Sequence, residues 1–464
     1  MGSPDSSSFA SGTFPHKNPT LPFWRTQLHE LDDHRSTEEL PESCDILIIG
    51  GGYAGIAAAY HLLCGHESSN NPRPSIVLAE ARQACSGATG RNGGHLRPAV
   101  YPRIPSYTKQ FGLEAAVEVA DFEFDHVPAI AALVEKEKID CDFTLTKSFD
   151  IYTDKVQAET AKKYYDEFKA AGIAKSTMDD LIWTDAEHAE EVSGVKGCIG
   201  CFSFTAAHLW PYKLMLHLLQ RAGSNGLILQ TNTPVTSISP STFGLGRCTA
   251  TTSRGPITAT KVIFATNAYT AGLLPEYATK IVPSKGICCR IVTPPSTTHP
   301  PLTNTYVLRL PKGGFDYLVP RKDGSIIVGG ARTTFFNDHR NWYNNTDDST
   351  LIASAASYFD NYMQTYFHGW EDSGARVDQT WTGILGYTSD ELPSVGEVPG
   401  RDGCFIAAGF EGHGMPVIWL VMKGIAEMVA MGKRFEEVRI PRIYKTTRER
   451  LESEVDLLAP KKKV

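Results

Sequence analysis

The glycine turn at residues 50–55 constrains the fold of this 464-residue chain more than any other feature. An almost wholly apolar run, 44–49, precedes it and is typical of a buried parallel strand. Small and apolar residues fill 55–64, as in a helix packed under a sheet, and 75–80 read as a second strand that ends in an acid. Strand, helix and strand within about 36 residues predict one βαβ unit.

The glycines fit the pattern G-x-G-x-x-G, in which each glycine has a physical role. Gly50 permits the tight turn, Gly52 lets the backbone approach a pyrophosphate, and Gly55 lets helix and strand pack closely. A dinucleotide diphosphate would then lie at the positive end of the helix dipole. Glu80 would accept hydrogen bonds from ribose hydroxyls; the insert 66–74 accounts for a spacing longer than the usual ~20 residues. The alternative is a structural glycine-rich turn in an unrelated α/β protein.

The segment after Glu80 favours FAD over NAD. Ala81 and Arg82 follow the acid, and residues 86–95 read Ser-Gly-Ala-Thr-Gly-Arg-Asn-Gly-Gly-His. A run so rich in glycine and hydroxyl side chains offers many N–H and O–H groups to a second phosphate and to a flavin ring. A solvent loop could have the same composition, but a position directly after the ribose acid favours a cofactor loop, called the flavin loop below.

These segments resemble the D-amino acid oxidase (DAO) superfamily of FAD-dependent oxidoreductases. The closer resemblance is to its fungal and bacterial branch that oxidises amines and amino acids, such as γ-glutamylputrescine oxidase-like proteins. It runs from about residue 44 to 432 and depends on four segments: 48–55, 86–94, Leu318-Val319-Pro320 with Gly329-Gly330, and 409–415. The first and last segments are specific together, and neither would suffice alone.

The resemblance implies a flavin site built from both ends of the chain. Val235 is expected to meet the adenine, and backbone amides of 409–415 to face the O2 and N1 region of the flavin. A helix N-terminus there would stabilise the negative charge of reduced flavin. The expected cofactor-binding residues are Gly50, Gly52, Tyr53, Ala54, Gly55, Glu80, Ala81, Arg82, Ser86, Gly87, Thr89, Arg91, Asn92, Gly93, Gly94, His95, Val235, Ala265, Thr266, Gly383, Gly409, Gly412, His413, Gly414 and Met415.

The chemistry that the resemblance implies is hydride transfer from a C–H next to an amine nitrogen to flavin N5, with O2 as the expected final oxidant. Strand 325–329 lacks the lysine that assists oxygen activation in some relatives, so a dehydrogenase stays open as an alternative. We expect non-covalent FAD, because neither Cys404 nor His95 lies in a recognisable attachment motif.

Three residues are candidates for catalysis. His95 ends the flavin loop, His413 lies in the last loop, and Tyr317 lies on a hairpin expected to line the pocket. Each could instead be structural, as a hydrogen-bonding histidine or a packed ring. Further pocket candidates are Arg309, Arg321 and Arg332, as clamps for a substrate carboxylate or as surface ion pairs, and Trp210 and Phe410, as pocket aromatics or core residues.

The predicted fold class is α/β, with a Rossmann-type, DAO-like FAD-binding domain and a second, β-sheet-rich substrate domain. We also predict a helix over 349–366 and a hairpin turn at Asp323-Gly324. In the arm, Phe23 and Trp24 could dock on the body. The predicted boundaries are 1–43 for an extended N-terminal arm, 44–105, 206–285 and 375–435 for a discontinuous FAD-binding domain, 106–205 and 286–374 for the substrate domain, and 436–464 for a C-terminal tail.

Charge, hydropathy and cysteine spacing limit the classes of partner and ligand that we expect. A net charge of -7 and a pI near 6.1 argue against nucleic acid, and the absence of 18 uncharged apolar residues in a row argues against a transmembrane helix. The ten cysteines, with a lone Cys198-x-x-Cys201, show no framework spacing. We therefore expect no metal site and a reducing, cytoplasmic location. The basic run Lys461–Lys463 is a solvated tail or a weak nuclear-import patch.

The expected partner is a small-molecule substrate, an amine or an amino acid, and the oligomeric state is not readable from the sequence. Two rival functions stay open. A tailoring enzyme of secondary metabolism would oxidise a larger scaffold on the same fold and release peroxide with complex substrates only. A flavin-binding trafficking or regulatory protein would turn over nothing, and its flavin would not bleach when amines are added.

Overall fold

The computed structural model describes residues 13–65, 73–99, 101–240 and 246–458. The strands in this part of the chain are β1 Ser43–Ile49, β2 Ile76–Ala79, β3 His95–Leu96, β4 Thr144–Tyr152, β5 Ile182–Asp185, β6 Gly200–His208, β7 Leu227–Gln230, β8 Val235–Pro240, β9 Cys248–Thr252, β10 Gly255–Phe264, β11 Ile281–Val292, β12 Thr305–Arg309, β13 Phe315–Pro320, β14 Ile326–Gly329, β15 Arg376–Thr388, β16 Ser394–Glu397 and β17 Cys404–Ala408. The helices are α1 Tyr53–Cys64, α2 Ile104–Phe111, α3 Leu113–Phe124, α4 His126–Glu137, α5 Lys155–Ala170, α6 Lys175–Asp180, α7 Ala186–Ser193, α8 Pro211–Gly223, α9 Arg332–Phe335, α10 Tyr362–Tyr366, α11 Ile418–Met431 and α12 Arg448–Glu452. The chain also has short 3₁₀ helices, among them Phe23–Arg25, Asn267–Gly272 and Ala353–Ala355.

The first sheet is the Rossmann-type sheet. Its strand order is β16-β17-β10-β1-β2-β7, and the β8–β9 hairpin joins it at β10. Strands β10, β1, β2, β7 and β17 pair in parallel, and β16 is antiparallel at the edge. Helix α1 connects β1 to β2 and packs on α8 and α11, so the predicted βαβ unit is confirmed.

The second sheet is the β-rich part of the molecule. Its strand order is β15-β11-β14-β13-β12-β4-β6-β3, with β5 paired to β6. All of its pairs are antiparallel except β4 with β12. Pro320 of β13 is the register partner of Ile326 of β14, so the hairpin predicted at Asp323-Gly324 is present. The α/β fold class with two sheets is confirmed.

The arm docks on the body through its aromatic residues, as predicted. Phe23 and Trp24 are both buried. Their rings lie 4.9 and 5.7 Å from the ring of Trp210, which opens α8. The chain after α11 also packs on the body, because Tyr444 is buried and Arg450 pairs with a carboxylate oxygen of Asp390 at 2.8 Å.

The prediction of a helix over 349–366 is wrong for most of that segment. The structure has a 3₁₀ turn at Ala353–Ala355 and only the short α10, preceded by Asn361 at φ +55°. The hydroxyls of Tyr358 and Tyr362 donate to Asp316 at 2.7 and 3.2 Å. These contacts with another element outweigh the local helical pattern.

The predicted domain boundaries stay a prediction. Strands β11 and β15 belong to the second sheet, although 281–285 and 376–388 fall in segments predicted for the FAD-binding domain. Among the described helices, none has both the length and the apolarity that crossing a bilayer would need. The basic run Lys461–Lys463 lies outside the described residues.

Candidate cofactor cleft and active site

A cleft opens at the carboxyl ends of β1, β2 and β10, the edge at which open α/β sheets bind their ligands. The predicted cofactor residues that line it are Gly50, Gly52, Tyr53, Ala54, Glu80, Ala81, Arg82, Ser86, Gly87, Thr89, Val235, Ala265 and Thr266. The other lining residues are Phe14, Pro15, Ile49, Ala79, Cys85, Ala88, Asn267, Ala268, Tyr269, Leu273, Ile384, Phe410 and Ile418. The glycine turn, the acid and the start of the flavin loop therefore share one cleft.

The glycine turn is packed too tightly for side chains. Gly50 has φ +108°, and a Cβ there would lie 2.5 Å from the carbonyl oxygen of Ala265. A Cβ on Gly55 would lie 1.9 Å from the Gly50 carbonyl oxygen, so α1 sits directly on the turn. Glu80 is fixed beside it, because its carboxylate accepts from the amides of Gly51 at 2.6 Å and Arg82 at 2.8 Å.

Three residues that line the cleft, Tyr53, Ser86 and Tyr269, have a buried hydroxyl group without a hydrogen-bond partner among the described residues. Burial raises the pKa of both tyrosines, so all three hydroxyls are neutral donors. A buried polar group without a partner costs about 1–3 kcal/mol. These groups fit a ligand with many acceptor oxygens, and FAD, with its diphosphate and its ribityl and ribose hydroxyls, is such a ligand.

Arg91 supports the flavin loop from behind and does not line the cleft. Its guanidinium donates to the carbonyl oxygens of Ser86 at 2.8 Å and Thr382 at 2.6 Å, and it lies 3.5 Å from the carboxylate of Asp348. Burial lowers the pKa of Arg91 to about 10, against the opposing charge of Asp348. The predicted Gly383 packs on it, because a Cβ there would lie 3.0 Å from the Arg91 Cβ.

Asn92 and Gly94 shape the end of the flavin loop. The Asn92 amide donates to the carbonyl oxygens of Ala88 at 3.1 Å and Thr89 at 3.0 Å. Its side-chain oxygen accepts from the Gly94 amide at 2.7 Å. The loop is therefore closed on itself by one side chain.

Tyr317, a predicted catalytic residue, contacts this loop from the second sheet. A Cβ on Gly93 would lie 2.2 Å from its ring, and a Cβ on Gly329 would lie 2.1 Å from its hydroxyl oxygen. The hydroxyl lies 2.9 Å from Sγ of Cys288, and burial raises its pKa well above the usual value. The structure thus places Tyr317 against the flavin loop, outside the residues that line the cleft.

The last loop is tied to the elements around it. The side-chain oxygen of Asn267 accepts from the amides of Gly409 at 3.0 Å and Phe410 at 3.3 Å. Glu411 accepts from the Thr388 hydroxyl at 2.7 Å. Of the remaining predicted residues here, Gly412 is exposed, Gly414 is half-buried and Met415 is buried.

The two predicted catalytic histidines have different environments. Nε2 of His413 lies 2.7 Å from a carboxylate oxygen of the buried Glu123, a residue that has no local signal in the sequence. His95 lies on β3 of the second sheet, where its Nε2 is 2.7 Å from the Thr305 hydroxyl. Burial lowers the pKa of both imidazoles, and the charge of Glu123 opposes this for His413.

The predicted pocket arginines separate into two kinds. Arg309 pairs with Asp150 at 3.1 Å and Arg321 with Asp142 at 2.5 Å. Arg332 takes part in no ion pair of the described chain. Its guanidinium lies over the rings of Phe315, Phe336 and Tyr387 at 5.2, 4.6 and 5.2 Å, and burial lowers its pKa to about 10. The guanidinium also donates a hydrogen bond to the Tyr387 hydroxyl.

The last predictions for the site concern two aromatic residues and metal binding. Phe410 lines the cleft, whereas Trp210 packs in the core on the arm. Within the described ranges, no group of three His, Cys, Asp or Glu side chains is placed to hold a metal ion.

Comparison with known proteins decides the family. The profile of the DAO family, described as FAD dependent oxidoreductase, matches residues 45–428. The chain belongs to this family of FAD-dependent oxidoreductases. It is therefore an enzyme, and FAD is its cofactor.

Individual relatives are distant but cover most of the chain. Gamma-glutamylputrescine oxidoreductase of Escherichia coli (strain K12) is 24% identical over 397 residues, 83% of this chain and 84% of the relative. Glycine oxidase of Geobacillus kaustophilus (strain HTA426) is 25% identical over 391 residues, 83% and 92% of the two chains. The crystal structure of glycine oxidase from Geobacillus kaustophilus superposes with a TM-score of 0.69 at 21% identity and covers 88% of this chain and 99% of that one.

Proposed function

We propose that this FAD-dependent oxidoreductase oxidises a small amine or amino acid, with FAD held non-covalently in the cleft. The three unpartnered buried hydroxyls of Tyr53, Ser86 and Tyr269 carry the placement of FAD, since a ligand in the cleft would satisfy them. The position of Glu80 beside the glycine turn supports placing the adenosine end of FAD at that turn. The flavin end is proposed near the flavin loop and the last loop.

The substrate class is supported by the relatives and by the chemistry of the site. The relatives named above are described as acting on gamma-glutamylputrescine and on glycine. Bound FAD supplies the hydride acceptor in such reactions. A substrate amine must be neutral to give up hydride, so the site needs a group that takes its proton. His413 is the proposed acceptor of that proton, because burial lowers its pKa and so keeps the imidazole neutral, and because Glu123 fixes its orientation.

Two finer points belong to the proposal. O2 is the proposed oxidant of the reduced flavin, and the alternative is a dehydrogenase, because strand β14 carries no lysine. The proposed compartment is the cytoplasm, which the ten free thiols of the described chain support.

The deciding experiment is anaerobic mixing of the purified flavoprotein with a panel of amines and amino acids, followed by flavin absorbance at roughly 450 nm. We expect bleaching by at least one member of the panel, and admission of air should restore the absorbance with release of peroxide. If no small amine or amino acid bleaches the flavin but a larger scaffold does, the result would favour the tailoring enzyme. A flavin that nothing bleaches would contradict the proposal.

A further inference from the structure

We propose that residues 13–24 of the arm, called the clamp segment, close the FAD cleft and determine how firmly the protein retains its cofactor. The inference rests on the placement of FAD in the cleft proposed above and is independent of the substrate. It assigns a cofactor-binding role to a segment that precedes the glycine turn and the family profile, which begins at residue 45.

The clamp segment supplies part of the cleft wall. Phe14 and Pro15 line the cleft together with Tyr269 and Leu273. The Phe14 ring is in close contact with this region, because a Cβ on Gly272 would lie 3.2 Å from it. Without these two arm residues, the cleft would be open to solvent on this side, and a bound dinucleotide would lose an aromatic and a proline contact.

From the cleft the clamp segment follows the flavin loop. The carbonyl oxygen of His16 accepts from the guanidinium of Arg82 at 2.9 Å, just before the loop. Near the other end, the indole N–H of Trp24 donates to the Asn92 carbonyl oxygen, and a Cβ on Gly94 would lie 2.9 Å from the Trp24 ring. The segment therefore contacts both ends of the loop that passes the cofactor.

Thr20 anchors the middle of the segment. Its amide donates to the Asp348 carbonyl oxygen at 2.7 Å. Its hydroxyl oxygen accepts from the Arg91 guanidinium at 3.0 Å and from the Thr382 amide at 3.2 Å. Arg91 and Asp348 are both buried, and hydrogen bonds to buried charged groups are stronger than neutral ones. One arm residue thus joins the flavin loop to the second sheet.

These contacts give the clamp segment control over cofactor release. The flavin loop cannot lift from the cleft unless the bonds at His16, Thr20 and Trp24 break. Residues 16–18 of the segment are exposed, and stretches with few buried contacts open locally at a lower free-energy cost than the core unfolds. Opening of the arm is therefore the step that admits and releases FAD, and weaker arm contacts must raise its dissociation rate.

The test compares two clamp variants with matched arm controls. Phe14→Ala removes the wall residue, and Thr20→Val removes the anchoring hydroxyl at constant shape. Leu28→Ala and Thr26→Val make the same kinds of change on the same arm, at an exposed leucine and at a threonine whose hydroxyl donates only to the Phe23 carbonyl oxygen. The FAD dissociation constant and dissociation rate are measured on apoprotein by flavin fluorescence, and circular dichroism confirms folding.

We expect each clamp variant to raise the Kd and the dissociation rate about tenfold, the factor that corresponds to about 1.4 kcal/mol. The controls should match the wild type. Unchanged values in both clamp variants would overturn the inference, and so would an equal rise in the controls. Ser86→Ala distinguishes failure of the clamp inference from failure of the proposal that FAD lies in the cleft. If Ser86→Ala alone weakens FAD binding, FAD lies in the cleft and the clamp inference is wrong. If no variant weakens FAD binding, the proposed position of FAD is wrong as well.

Discussion

Nε2 of His413 and Oε2 of Glu123 lie 2.7 Å apart and join residues separated by 290 positions in the chain. Burial alone would raise the pKa of Glu123, but the charge and hydrogen bond of His413, with the charge of Arg103, lower it to about 2. The carboxylate is therefore ionised and can only accept, so Nε2 carries the proton and Nδ1 is left as the acceptor. About 18% of the His413 side chain is exposed, so the imidazole borders accessible space.

The first prediction is that Glu123→Gln moves the acid limb of the pH profile. Burial lowers the pKa of His413, and the negative charge of Glu123 raises it. Removal of that charge therefore lowers the pKa of His413 further. If neutral His413 takes the substrate proton, kcat/KM rises with pH through this pKa, and the limb should move to lower pH by about one unit. The substrate amine titrates identically in both enzymes, so the difference between the profiles isolates the histidine.

The control for this variant is Glu114→Gln, which removes a carboxylate with a side chain 86% exposed on the same helix, α3. It should leave the profile unchanged. If Glu123→Gln lowers kcat/KM at every pH but does not move the acid limb of the profile, Glu123 has a structural role only.

The second prediction concerns Glu411 and stability. Burial raises the pKa of Glu411 to about 7, although hydrogen bonds from Thr388 oppose the rise. Because this folded-state pKa lies above the ordinary value of 4.5, the folded chain binds the proton more tightly. The contribution of the protonated form to stability is then lost as pH rises from about 4.5 to about 7. Glu411→Gln should therefore unfold at a temperature that rises relative to the wild type across this window and levels off above it.

Thermal unfolding at a series of pH values checks this prediction, with Glu114→Gln again as the exposed control. A difference between Glu411→Gln and the wild type that stays constant from pH 5 to pH 8 would show that Glu411 titrates normally in the folded chain.

The cofactor half of the fold could be predicted from the sequence because its determinants are local. Gly50, Gly55 and Glu80 lie within one βαβ unit, and their spacing alone brings the acid to the glycine turn. The hairpin at Asp323-Gly324 is local for the same reason, since turn chemistry determines its register.

The rest of the site depends on contacts between distant segments, for which one sequence carries no signal. Phe14 reaches the cleft from the arm, and Glu123 reaches His413 from α3. Neither residue type nor local pattern distinguishes these two from an ordinary exposed phenylalanine or glutamate. The error over 349–366 has the same origin, because tyrosine hydroxyls of that segment satisfy the buried Asp316 on the second sheet.

The third prediction is that Arg332 binds a carboxylate of the substrate. The guanidinium of Arg332 takes part in no ion pair of the described residues. Three aromatic rings and a hydrogen bond to the Tyr387 hydroxyl hold it in place. Hydrogen bonds to charged groups contribute about 1.5–3 kcal/mol, so Arg332→Gln should raise KM about 10- to 100-fold for substrates that carry a carboxylate. Arg332→Lys should recover only part of this, because lysine cannot bind both carboxylate oxygens in one plane.

Steady-state kinetics with matched substrate pairs, an amino acid and the amine that lacks its carboxylate, provide the measurement. The amine should show the same KM in all three enzymes. Arg340→Gln, at a side chain 88% exposed, is the control. An equal rise in KM for both members of a pair would assign Arg332 to packing and not to carboxylate binding.

The last prediction tests the contact between α1 and the glycine turn. In Gly55→Ala the new Cβ would lie 1.9 Å from the Gly50 carbonyl oxygen, so helix or turn must move. Overpacking of this kind costs about 1–3 kcal/mol, and the displaced turn can no longer present its amides to the cofactor. We expect a lower unfolding temperature and a lower flavin-to-protein absorbance ratio in the purified protein. Gly223→Ala lies at the end of α8, where the new Cβ would meet no atom outside its own stretch of helix within 4 Å. This variant should keep the full ratio and unfold at or above the wild-type temperature. Full flavin content in Gly55→Ala would mean that the amides of this turn do not hold the cofactor.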